Sequence, residues 1–156
     1  RYIMSSIKEK LNSVVFLWIG FGLVLLTMIF IAAPAIEDGF EGVVNSAAIF
    51  WKRVPSWEHG NWPMFVGYMS ILVGGILMGV MALSFVQPSA LVEKVILLSA
   101  GVLLLLGIIL VFCFKQTFFA VNGWESVRDV YWGPYVAASI ACLALVCDGV
   151  ALALDW

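Results

Sequence analysis

Charge is what this chain has least of. Its 156 residues include eight basic and ten acidic side chains, 12% in all, for a net charge of -2. Without a basic surface to neutralise phosphates, nucleic acid is excluded as a partner, and no charged tail is present to steer acidic ligands. Histidine is rarer still, since His59 stands alone. A bis-histidine haem therefore cannot be built within the chain, and His59 with Glu58 could serve a metal or proton only in a site shared with another subunit. The plainer reading is an exposed loop histidine.

The three cysteines, Cys113, Cys142 and Cys147, lie in or at the ends of apolar runs. They form no C-x-x-C pair, and no two of them fall in a polar loop where a structural disulfide would form, so they indicate no redox compartment. There is no Ser-His-Asp set, no G-x-x-x-x-G-K loop and no pair of intramembrane carboxylates. The chain is expected to be no enzyme and to carry no metal or cofactor. Whether a bound lipid or pigment fills gaps between the spans is left open.

What the sequence has in abundance is apolar length. Hydrophobic residues make up 63% of it, and its mean hydropathy of +1.07 lies far above that of soluble domains, which are about 45–50% apolar. Two runs, Met64 to Val86 and Leu91 to Phe114, are separated only by Gln87, Pro88, Ser89 and Ala90. Each has about the 20 residues needed to cross a hydrocarbon layer, so together they predict a membrane hairpin. Two further runs, Ser13 to Ile36 and Trp132 to Leu154, complete four spans at about 13–36, 64–86, 91–114 and 132–154 in a single transmembrane domain, residues 1–156. The first residue is Arg1, which leaves open processing or a longer N-terminus. The first run is about twice as long as a signal-peptide core and is read as a permanent span.

Arg1, Lys8 and Lys10 face a single acid, Glu9, ahead of the first span. The positive-inside rule therefore puts both termini in the cytoplasm and the two longer loops outside. In the first outer loop Phe40, Val43, Val44, Ala47, Phe50 and Trp51 recur at helical spacing, which predicts a short interfacial helix stopped by Pro55. Trp51, Trp57, Trp62, Trp124 and Trp132 fall in the two outer loops or at their span boundaries. They form an aromatic belt that either anchors the bundle at the headgroups or docks a partner.

Gly67, Gly74, Gly75 and Gly79 in the second span, and Ala137, Ala141 and Ala144 in the fourth, mark faces where helix backbones can approach closely. Such faces serve packing within the chain or against another membrane subunit, and a homo-oligomer and a hetero-complex look alike at this level. The third span, rich in Leu and Ile from Leu103 to Leu110, is expected to face lipid most. Adjacent Glu93 and Lys94 point to different parts of the helix surface and mark the interface. Asp148 is the most informative single residue, because a carboxylate inside an apolar run must be paired or wet. Lys94, Lys8 and Lys10 are the candidate partners on its side; the plain alternative is a charge at headgroup level near the helix end.

The order of these features resembles the claudin, peripheral myelin protein and calcium-channel gamma group of four-span proteins. The shared features are an inner N-terminus, a longer first outer loop with tryptophans, a tight inner turn and a shorter second loop. The last span is introduced by Tyr131, Trp132, Gly133, Pro134 and Tyr135. The resemblance implies a role in cell contacts or as an auxiliary subunit of channels or receptors. It rests on topology, since the W-G-L-W segment and loop cysteine pair of that group are absent, and it carries over no functional residue. The expectation is an all-α, four-helix membrane bundle acting as a non-catalytic structural or accessory subunit through contacts with the bilayer and with other integral membrane subunits. The alternative is a small ion channel or transporter component with Asp148, with or without Glu93, in a polar path.

Overall fold

A computed structural model describes residues 2–32, 34–38, 42–45, 62–83, 90–114, 127–130 and 132–155. Four long helices dominate it: α1 (Tyr2–Ile29), α2 (Trp62–Leu83), α3 (Ala90–Phe112) and α4 (Gly133–Asp155). All four are long and apolar enough to cross a membrane. Three short strands, β1 (Pro34–Asp38), β2 (Gly42–Asn45) and β3 (Val127–Val130), lie in the connections α1–α2 and α3–α4.

The helix boundaries follow local chemistry. No proline interrupts α1, whose 28 residues reach about 42 Å and so extend past a hydrocarbon layer of roughly 30 Å. The span itself runs Asn12–Ala32 and closes with a 3-10 turn, Phe30–Ala32. It stops short of the expected Ile36 because Pro34 cannot donate to a helix and disfavours helical geometry in the residue before it. Prolines also open α2 and α4 from positions where no intrahelical donor is needed: Pro63 follows Trp62 in α2, and Pro134 follows Gly133 in α4. At the start of α4 the Val136 N–H closes the first turn on the Trp132 carbonyl at 2.9 Å.

Sequence neighbours pack side by side, α1 on α2, α2 on α3 and α3 on α4, and α4 returns to pack extensively on α1. Among the described side chains of α1 the buried ones are Ser13, Leu17, Gly20, Val24 and Thr27, alternating by four and three. In α4 the same alternation runs Ala137, Ala141, Ala144, Asp148 and Ala151. This is the spacing of a coiled-coil seam, and the small side chains let the two backbones draw together. Ser13 Oγ donates to the Ala151 carbonyl at 3.4 Å and Thr27 Oγ1 to the Ala137 carbonyl at 3.5 Å. The two contacts lie two heptads apart on each helix and fix the antiparallel register. Val15, Ile19, Leu25, Leu105, Leu106, Leu143 and Val146 point outward. Such an apolar exterior suits lipid and not water.

The first span, and not the third, is the most lipid-facing: in its most apolar stretch 22% is buried, against 33% in α3. The expectation for α3 failed because its own small residues pack. A side-chain carbon on Gly107 would run into the Gly67 carbonyl and Ile71, and Ala100 is fully buried.

The strands form one antiparallel sheet in the order β2-β1-β3. Ile36 pairs with Val44 on one side and Val130 on the other, and Glu37 pairs with Val43 and Asp129. The two connections are thereby tied together at one end of the bundle. The interfacial helix is not formed where the first connection is described, because Val43 and Val44 lie in β2. Two β-branched residues in succession fit a strand better than a helix, and β1 supplies the partner. Phe40, Ala47, Phe50 and Trp51 lie outside the described residues.

Candidate functional site

Two places concentrate the residues singled out by sequence: the aromatic end of the bundle beside the sheet, and the interior around Asp148. At the sheet end, Trp62 is 63% exposed and Trp132 is 51% exposed. Trp132 meets Phe30 edge-on, with ring centroids 6.0 Å apart. Tyr135, one turn into α4, is held edge-on between Phe112 at 5.4 Å and Phe114 at 5.3 Å. These contacts join the ends of α1 and α3 to the start of α4, and each edge-to-face pair contributes roughly 0.5–1.5 kcal/mol beyond its burial. The indoles of Trp62 and Trp132 keep an open surface while the scaffold beneath them is fixed. Trp51, Trp57 and Trp124 lie outside the described residues, as do Glu58 and His59.

The glycines of α2 face its two neighbours in turn. A Cβ on Gly67 would lie 2.8 Å from Leu110 Cβ, and one on Gly74 would lie 3.0 Å from the Ala100 carbonyl, so both meet α3. A Cβ on Gly75 would run into Val24, and one on Gly79 would lie 3.0 Å from the Phe21 ring, so these meet α1. All four positions are occupied by contacts within the chain. Ala137 and Ala141 are fully buried on the face of α4 that carries the seam.

Asp148 lies inside the bundle. It is 2% exposed, it occupies the seam position between Ala144 and Ala151, and its Oδ1 is buried with no hydrogen-bond partner. A Cβ on Gly101 of α3 would lie 2.8 Å from Asp148 Oδ2, so the carboxyl is seated against bare backbone. The pairing expected with Lys94 is not formed, because Lys94 is seven residues, or about 10 Å, along α3 from Gly101. The side chains of Lys8 and Lys10 are outside the description.

Sequence reasoning missed Gly20, Gly101, Gly107, Ser13 and Thr27. The seven-residue spacing of Ser13, Gly20 and Thr27 was a usable signal, and it matches the spacing of Ala137, Ala144 and Ala151. Gly101 had no such signal, because its role depends on the carboxyl that α4 turns toward it. Among the described residues no group of three or more His, Cys, Asp or Glu is placed to hold a metal ion. No protein-family model, curated protein or solved structure matches the chain.

Proposed function

We propose that the chain is a non-catalytic structural or accessory subunit of a larger membrane protein complex, acting through its transmembrane faces and its two longer connections. The observation that carries this reading is the joining of both connections in one sheet beside exposed Trp62 and Trp132. Large, rigid, half-exposed aromatics on a fixed base are the residue type that dominates protein contacts at modest entropic cost. The basic N-terminal segment supports cytoplasmic termini, which puts this aromatic end outside. Kinship with the claudin, peripheral myelin protein and calcium-channel gamma group belongs to the same proposal and rests on the shared order of spans and loops. The bilayer is the constant partner, other integral membrane subunits are the specific ones, and no cofactor beyond lipid is required.

Replacing Trp62 and Trp132 together by Ala tests the reading in the native membrane. Loss of co-purifying subunits at unchanged bundle stability supports it. Retention of every partner in its original ratio contradicts it.

A second reading, a small channel or transporter component, is favoured by one observation, the buried and unpartnered Asp148. It requires Asp148 to line a polar path, so Asp148→Asn should change ion flux while leaving assembly intact.

A further inference from the structure

The surroundings of Asp148 define what it can bind. It stands fifteen residues, or roughly 22 Å, along α4 from Gly133, in the half of the bundle away from the sheet. Gly101 abuts Oδ2, and Leu145 closes the same notch, 3.8 Å from where a Gly101 Cβ would lie. On the face that α1 turns to α4 stand Ser13, Leu17 and Gly20, and Ser13 Oγ is directed at the Ala151 carbonyl. The carboxyl thus lies in an apolar interior with Oδ1 unsatisfied.

The charged groups on each packed element lie at a distance. On α3, Lys94 and Glu93 are seven and eight residues from Gly101, about 10–12 Å along the axis. On α1, the Ser13–Ala151 contact sets Lys10 level with Leu154, so it is about 9 Å along the axis from Asp148, and Glu9 and Lys8 are farther. α2 carries no charged residue. On α4 itself there are Cys147, adjacent and buried, and Asp155, seven residues on.

A bare carboxylate in such a place is costly, and the closed bundle offers it no described donor. We propose that Asp148 holds one compensating proton on its carboxyl, between α3 and α4. The inference does not depend on the accessory role, because a scaffold can fold around a neutralised acid as readily as a transporter can move its ligand.

Infrared difference spectroscopy on the full chain in phosphatidylcholine vesicles tests this, because protonated carboxyl, metal-bound carboxylate and free hydrated carboxylate absorb differently. Spectra of the wild-type protein minus Asp148→Asn are taken in choline chloride and then in sodium chloride at the same pH. A protonated-carboxyl band present in both media identifies the proton. That result supports the site, and replacement of the band by metal-carboxylate bands in sodium contradicts it. A hydrated-carboxylate spectrum indifferent to sodium overturns it. Should Asp148→Asn fail to fold, ¹³C-labelled aspartate shifts the same bands without a substitution, and the same three outcomes decide.

Discussion

Gly101 of α3 and Asp148 of α4 fit each other: a methyl group on the glycine would lie 2.8 Å from the carboxylate oxygen Oδ2. The space that glycine leaves is filled by the acid, so the two positions are coupled. Gly101→Ala is expected to destabilise the bundle by about 1–3 kcal/mol, the usual range for overpacking. Combined with Asp148→Ala, which removes the obstructing atoms, the same change should cost measurably less. A double-mutant cycle by steric trapping or denaturant unfolding reads the coupling, and strict additivity would mean that the two residues do not touch.

The α1–α2 contact gives a paired comparison. A Cβ on Gly75 runs into Val24, whereas one on Gly22, on the outward face of α1, meets nothing within 4 Å. Gly75→Ala should therefore lower stability by about 1–3 kcal/mol and be partly relieved by Val24→Ala. Gly22→Ala should be neutral or slightly stabilising. Thermal melts of the three proteins in one detergent check the order.

How much of this was legible in the sequence depended on the range of the interaction. The four spans were plain because 20 apolar residues in succession have few other uses, and the end of the first was off by four residues where Pro34 decided it. The strand Gly42–Asn45 was misread because Val43 and Val44 fit a helical stripe as well as a strand, and the β1 partner that decides between them is set by pairing with β3, nearly a hundred residues away. Asp148 was recognisable as anomalous, but its direction was not. Its position in the alternation Ala137, Ala141, Ala144, Asp148, Ala151 held that direction, since the other four members are small and buried.

The seam between α1 and α4 carries two side-chain donors, and each is expected to contribute little. Thr27 Oγ1 also donates to the Leu23 carbonyl of its own helix at 3.0 Å, so Thr27→Val removes one shared bond and keeps the shape. A loss of about 0.6 kcal/mol is expected, typical of interhelical hydrogen bonds in membranes. Ser13→Ala should behave alike, and the two losses should add because the sites are two heptads apart. Unfolding of the double variant checks the sum, and a loss several times larger would show that the hydroxyls do more than hold register.

Thiol reactivity reports the orientation of α4 and the end of α3. Cys142 is exposed, Cys113 is partly exposed and Cys147 is buried in the core. A lipid-soluble maleimide should label Cys142 first and Cys147 last in the folded protein, with all three reacting after denaturation. Peptide mapping at successive times gives the order, and early labelling of Cys147 would mean that α4 is rotated from the orientation that buries Asp148.

The accessory role is tested most directly by the mass of the native assembly, measured by native mass spectrometry after gentle detergent extraction, with every co-purifying chain and bound molecule identified. The account predicts unrelated integral membrane subunits bound in fixed ratio and released when Trp62 and Trp132 are replaced. A closed ring made only of this chain would contradict it and would move the weight of function to Asp148.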